Sequence, residues 1–170
     1  MVRTVTFKGA RLTLIGKCVK EGRRAPDFKL ISQDLKEVCL SDFDGKIKII
    51  NFFPSLDTPV CDLQVKEFNK KAIGLSPDIV VIGISKDLPF AQARFCSANE
   101  IKNETVLSDY RFSSFGLNYG FLIKELNLLA RGTLIIDKSQ RVRYIQVVDE
   151  ITHSVNFDEV FNKLRDVLKV

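Results

Sequence analysis

The sequence predicts an α/β fold built on a central mixed β-sheet, flanked by helices and preceded by an N-terminal β-hairpin. Three observations carry that reading. The apolar runs Ile47-Lys48-Ile49-Ile50-Asn51-Phe52-Phe53 and Ile79-Val80-Val81-Ile82-Gly83-Ile84 have the length and continuity of buried strands. Segments with helical spacing of apolar residues alternate with them, the order that lays parallel strands side by side. The last two strand patterns lie only a few residues apart, too close for a crossover, so they pair antiparallel and make the sheet mixed.

The elements follow in order. Residues 2–8 and 11–16 alternate polar and apolar side chains around Gly9, the pattern of a hairpin. Residues 27–31 and 37–40 form a second short strand pair, and Asp44-Gly45 turns the chain into the strand at 47–53. The helix after Thr58 carries Val60, Leu63, Val65, Phe68 and Ala72 close to one face. The strand at 79–85 is followed by a helix at about 88–98, introduced by Asp87 and Pro89. A short strand near 105–107 leads into a helical or irregular segment at 112–124. Strands at 132–137 and 142–148 bracket the turn Lys138-Ser139-Gln140. The closing helix has the clearest pattern, with Phe157, Val160, Phe161, Leu164, Val167 and Leu168 at i, i+3, i+4, i+7 spacing. A βαβ unit followed by a β-hairpin and a closing helix is the layout of a thioredoxin-like fold.

With 170 residues and no repeat, low-complexity tract or Pro/Gly-rich linker, residues 1–170 read as one domain able to hold a core without staples. No apolar run approaches the roughly 20 residues of a membrane helix. The start of the chain lacks the continuous apolar core of a signal peptide. An intracellular, cytoplasmic protein with no membrane association is expected. Lysines and arginines are scattered among acids, so the net charge of +5 describes a solvated surface and not a nucleic-acid-binding face. Cys18, Cys39, Cys61 and Cys96 make no CxxC pair and no zinc-like spacing. His153, the only histidine, has no imidazole partner and reads as a surface or loop residue. No metal or cofactor is expected. In a reducing compartment any bridge between such cysteines is catalytic or redox-sensing.

Cys61 sits where the strand at 47–53 hands over to a helix. Thr58 suits the N-cap and Pro59 the first helical position, which puts Cys61 in the first turn. Unpaired N–H groups and the positive end of the helix dipole favour a thiolate there, the form that does chemistry. A free cysteine also commonly packs as a small hydrophobe. The residues alone leave both readings open.

Pro54-x3-Thr58-x2-Cys61 resembles the active-site motif of the peroxiredoxins, and the chain is similar to their thiol peroxidase subfamily nearly end to end. The likeness includes Ala25-Pro26-Asp27-Phe28, Asp87-Leu88-Pro89-Phe90-Ala91-Gln92, Arg94-Phe95-Cys96, Val148-Asp149-Glu150-Ile151 and the N-terminal hairpin. The resemblance implies that Cys61 is the peroxidatic cysteine. Its thiolate attacks one oxygen of a hydroperoxide and becomes a sulfenic acid, while water or an alcohol departs. Thr58 matches the hydroxyl that hydrogen-bonds at the sulfur and the peroxide, and Pro54 the residue that shields the pocket from water. Arg131 matches the arginine that holds the thiolate and the peroxide oxygens. A rigid, permanently charged fork suits charge that moves from sulfur onto the leaving oxygen.

Cys96 matches the resolving cysteine, which would close an intramolecular disulfide with Cys61. In the family the two helices stand too far apart for a bridge when reduced, because the Cα atoms must come within roughly 7 Å. Oxidation is therefore expected to loosen residues 58–63 and 92–98. The resemblance also implies recycling by thioredoxin and a homodimer. A peroxide sensor that relays its disulfide to a partner would use the same residues. A general thiol-disulfide oxidoreductase is disfavoured by the lack of a CxxC pair. Cys39, in a strand-like run, is expected to pack, and Cys18, in a Lys/Glu/Gly-rich loop, to be exposed. Gly132-Thr133 is smaller and less apolar than the subfamily's usual pair after that arginine, which points to altered strand packing.

Overall fold

In the computed structural model, which describes residues 1–170, the N-terminal hairpin is β1 (Arg3–Phe7) with β2 (Ala10–Ile15). β3 (Lys29–Ile31) and β4 (Glu37–Cys39) form a short antiparallel pair, and a 3-10 turn at Leu40–Phe43 leads toward β5 (Ile47–Phe52). Next come α1 (Pro59–Ala72), β6 (Ile79–Ser85), α2 (Pro89–Ala98) and β7 (Thr105–Ser108). A short helix, α3 (Ser114–Tyr119), precedes the small strands β8 (Leu122–Ile123) and β9 (Leu128–Leu129). β10 (Gly132–Ile136), β11 (Val142–Val147) and α4 (Phe157–Leu168) complete the chain.

Seven strands make the central sheet in the order β11-β10-β5-β6-β7-β3-β4. β5, β6 and β7 run parallel, while β10 is antiparallel to both β5 and β11. A β5-α1-β6 crossover beside a β10-β11 hairpin, closed by α4, is the thioredoxin-like layout. A second sheet joins β1, β2, β8 and β9, so the hairpin is anchored by strands distant in sequence.

Every residue of β5 is buried, because both faces of the sheet are covered. Ile47 and Ile49 pack on one face with Phe68 of α1 and with Val160 and Leu164 of α4. Ile50 and Phe52 take the other face, with Val5 and Leu12 of the hairpin and Phe115 and Tyr119 of α3. Just past β5, Phe53 joins Leu56, Val65, Ile101 and Val106 in a smaller cluster that contains both Cys61 and Cys96.

α1 turns inward a face different from the one its apolar residues suggest. Cys61, Gln64, Val65 and Phe68 are buried at i, i+3, i+4 and i+7, whereas Leu63 is 47% exposed. A buried guanidinium, described below, requires the polar Gln64 on that face. α4 buries Val160 and Leu164 but leaves Leu168 exposed in its last turn. Its start is capped by Asn156, whose Oδ1 accepts from Glu159 N–H at 3.1 Å. Segment 112–124 resolves into α3 and β8, each too short to leave a periodic signature.

The small residue after Arg131 does not loosen its strand. A Cβ at Gly132 would stand 2.5 Å from Phe52 Cζ and 2.3 Å from the Gln146 carbonyl oxygen. The Phe52 ring, stacked on Phe121 at 4.3 Å, occupies that space, and all of β10 is buried. Cys39 is half-buried in β4, Cys18 is exposed, and His153 lies exposed in a turn. No helix is long and apolar enough to cross a membrane.

Candidate active site

The loop between β5 and α1 builds the site, and Asp87 holds that loop in place. Ser55 Oγ donates to Asp87 Oδ1 at 2.8 Å, and Leu56 N–H donates to Oδ2 at 2.9 Å. Ser85 Oγ donates to the same Oδ2 at 2.6 Å, so the approaches to α1 and α2 share one carboxylate. Pro54 is buried within this loop. Thr58 stands at the N-cap with extended backbone (φ −104°, ψ 142°), and Pro59 opens the helix. The Thr58 side chain does not cap the helix. Its hydroxyl donates instead to the Ser55 carbonyl at 3.0 Å, tightening the loop. The helical ladder begins with Asp62 N–H to the Thr58 carbonyl at 3.0 Å, so the N–H groups of Val60 and Cys61 precede it.

Cys61 is fully buried, and Arg131 is only 2% exposed. All three guanidinium nitrogens are engaged. Arg131 Nη2 donates to Cys61 Sγ at 3.0 Å, Nη1 to Gln64 Oε1 at 3.0 Å, and Nε to the Ile151 carbonyl at 2.8 Å. Burying such a cation is tolerable only when its donors are matched in this way. Gln64 is itself fixed, because its Nε2 donates to the carbonyls of Phe52 and Gly132, each at 3.3 Å. It therefore ties α1 to β5 and β10 while orienting the arginine.

The N-terminal hairpin presents the Ile151 carbonyl. Thr6 N–H donates to the Asp149 carbonyl at 2.7 Å, and Ile151 N–H donates to the Thr6 carbonyl at 2.9 Å. Between them, the Glu150 carboxylate accepts from Lys8 N–H (2.8 Å), Gly9 N–H (3.2 Å), the Thr152 hydroxyl (2.8 Å) and the Thr6 hydroxyl. These bonds, that of Thr6 foremost, hold the Glu150 carboxyl down at about 2. The first strand of the chain thus supports the seat of Arg131.

Cys96, 8% exposed, shares its apolar cluster with Cys61, and both are free thiols on ordered helices. Burial pushes the Cys96 thiol up, against the hydrogen bond that Gln33 Nε2 donates to its sulfur at 3.4 Å. Gln92 fastens α2 to the sheet, its Nε2 donating to the Leu107 carbonyl at 2.9 Å and to Ser85 Oγ at 3.1 Å. No group of three or more His, Cys, Asp or Glu side chains is placed to hold a metal ion.

Arg131 meets Cys61 directly, the loop carrying Pro54 and Thr58 leads into the same helix start, and Cys96 lies in the same apolar cluster as Cys61. Sequence reasoning missed Gln64, the carbonyl of Ile151 and the carboxylate of Asp87. One signal was available for the first. A glutamine three residues after Cys61 and flanked by Val65 and Phe68 sits on a face where polarity demands a partner. Chemically, a sulfur held against a fixed guanidinium at a helix start is arranged for nucleophilic attack. A guanidinium fixed at that sulfur can stabilise negative charge that develops there.

The sequence model of the Redoxin family matches residues 20–164. A thiol peroxidase of Bacillus subtilis (strain 168) is 45% identical over 165 residues, covering 97% of this chain and 98% of the relative. The chain belongs to the redoxin family, in its thiol peroxidase branch. As a redoxin of that branch it is an enzyme of the peroxidase class. The crystal structure of a peroxiredoxin-like protein from Aquifex aeolicus matches at a TM-score of 0.91 with 42% identity, covering 97% of each chain. A thiol peroxidase from Chromobacterium violaceum, 22% identical, matches at 0.86 over 98% of this chain and 97% of its own, which shows the shared redoxin fold.

Proposed function

We propose that the chain reduces hydrogen peroxide and organic hydroperoxides in the cytoplasm through a two-cysteine cycle. The observation that carries this reading is the 3.0 Å contact between Arg131 Nη2 and the buried Cys61 sulfur at the start of α1. The Cys61 thiolate attacks the terminal peroxide oxygen and the O–O bond breaks. The electron pair leaves on the distal oxygen, which takes up a proton and departs as water or an alcohol. Cys61 becomes a sulfenic acid. Arg131 stabilises the developing charge, Thr58 orients the peroxide, and Pro54 keeps water away.

Cys96 then attacks the sulfenic sulfur, forming the Cys61–Cys96 disulfide and releasing water. Its membership in the same apolar cluster supports this role. Because both thiols sit on ordered helices, bridging loosens residues 58–63 and 92–98. Thioredoxin supplies the dithiol that restores both cysteines. The chain works as a homodimer, for which Leu88 and Phe90, 52% and 67% exposed at the start of α2, offer apolar surface.

Peroxide-dependent NADPH oxidation through thioredoxin and its reductase tests the cycle. Cys61→Ser is expected to lose all turnover, whereas Cys96→Ser still consumes one equivalent of peroxide. Full activity in Cys61→Ser would sink the assignment.

A further inference from the structure

Asn51 and Glu104 form a buried polar pair that the cycle above leaves unused. Asn51 is fully buried in β5, and Glu104, 7% exposed, immediately precedes β7. Asn51 Nδ2 donates to Glu104 Oε1, while Glu104 Oε2 and Asn51 Oδ1 have no partner. The carboxyl lies over Gly83 of β6, where a Cβ would stand 2.6 Å from Oε1 and 3.5 Å from Val106 Cγ2. Register sets Asn51 beside Gly83 and Gly83 beside Val106, so the acid occupies a row crossing three adjacent strands. Val106 belongs to the cluster around Cys61 and Cys96. The acid therefore sits on the sheet face that carries both cysteines.

The chain leading to Glu104 is fastened to both cysteine helices. Asn69 Oδ1 of α1 accepts from the N–H groups of Lys102 (3.0 Å) and Asn103 (2.8 Å). Ile101 N–H donates to the carbonyl of Cys96 itself at 2.9 Å. Uncharged residues share its sheet face, Asn51 from β5, Gly83 from β6, Val106 from β7 and Thr133 from β10, and α1 turns Cys61, Gln64, Val65 and Phe68 toward that face, with the Arg131 cation bonded to Cys61 and Gln64. Asp62 of α1 is paired with Lys66 at 2.7 Å, and Arg94 of α2 is exposed. On that face the Cys96 thiol of α2 feels the Glu104 charge. Burial, partly offset by the Asn51 bond, pushes the Glu104 carboxyl up to about 8, so it is neutral at pH 7.

We propose that Glu104 is a proton-linked latch between the two redox states, a neutral acid while the Cys96 carbonyl holds Ile101 and the segment leading to it in place, and a solvated carboxylate once disulfide formation loosens residues 92–98. The inference rests on the Cys61–Cys96 disulfide proposed above. In that step Cys61–SOH and Cys96–SH become a disulfide plus one water. Glu104 separately loses one proton to solvent, with no electron transferred. On reduction, a thioredoxin-type dithiol returns two electrons and two protons to the sulfurs, and Glu104 takes up a third proton as the helices repack. Below the ordinary glutamate value of about 4.3 the acid is protonated in both states, and above about 8 it is ionised in both. Between those limits each rise of one pH unit favours the oxidised form an extra tenfold, about 30 mV for a two-electron couple.

The test equilibrates wild type and Glu104→Gln against dithiothreitol, whose own bridge also takes up two protons on reduction, across neutral and mildly acidic pH. The ratio of the two equilibrium constants is expected to change about tenfold per pH unit. A ratio constant within about twofold overturns the latch. Infrared difference spectra of the wild type guard against a poorly folded variant. A protonated-carboxyl band present in the reduced protein at pH 7 should vanish on oxidation, and its persistence in the oxidised protein overturns the latch equally. Peptide mapping after one equivalent of peroxide separates the two ideas. No Cys61–Cys96 bridge means the disulfide reading has failed, whereas a bridge with a flat ratio means the latch alone has failed.

Discussion

Replacing Arg131 with lysine keeps the charge and removes the fork. The guanidinium serves Ile151 O at 2.8 Å, Gln64 Oε1 at 3.0 Å and Cys61 Sγ at 3.0 Å simultaneously, from nitrogens fixed in one plane. A single ammonium cannot reproduce that geometry. Two buried acceptors lose part or all of their bonding at about 1–3 kcal/mol each, so folding stability should fall by about 3 kcal/mol. The bond at sulfur carries the chemical effect. One fixed donor aimed at developing charge is worth about 2.7–4 kcal/mol, and because lysine keeps the positive charge the loss should sit near the lower end, about 100-fold in rate. Quenched-flow mixing of reduced protein with limiting hydrogen peroxide, trapping the Cys61 sulfenic acid with dimedone, reads that rate. Urea unfolding of the same samples separates folding from chemistry. An oxidation rate within about threefold of wild type in folded Arg131→Lys would refute a role for the sulfur contact in the attack.

Gln64→Leu strips Arg131 of one acceptor and the Phe52 and Gly132 carbonyls of their shared donor, so urea unfolding should show a loss of about 2–4 kcal/mol. Its oxidation rate should fall by only about tenfold, since the bond from arginine to sulfur survives in a less rigid frame. Glu150 tests the hairpin. Its depressed folded value means that its contribution is fully present above about 4.3 and is lost as pH falls through about 2. Amide protection of residues 3–8 should therefore decline over that acid window in the wild type, and the window should disappear in Glu150→Gln.

The strands at the centre were legible because a sheet covered on both faces demands continuous apolar runs, and β5 and β6 carry them. The helix start at Cys61 was equally local, written in Thr58 and Pro59, although the Thr58 hydroxyl turned to Ser55 and not to the helix. Arg131 was different. No neighbouring residue marks it as buried, and only the family resemblance singled it out. Gln64 is not legible because its partner is 67 residues away, and Leu63 beside it reads as inward for the same reason. A helix face is chosen by what it meets, and here it meets a cation. β8 and β9, with two residues each, are too short to have any period.

The bonds between Thr6 and the Asp149–Ile151 segment also make the seat of Arg131 depend on two stretches far apart in sequence. During synthesis residues 3–7 leave the ribosome long before their partners at 149–151. Cys61 and Arg131 are both already made by then, yet the carbonyl that seats the arginine has nowhere to dock until the closing segment returns to the hairpin. A nascent chain bearing Cys61 therefore carries a thiol without its fixed cation. The three acceptors of Arg131 are thus assembled only after residues 149–151 have been made.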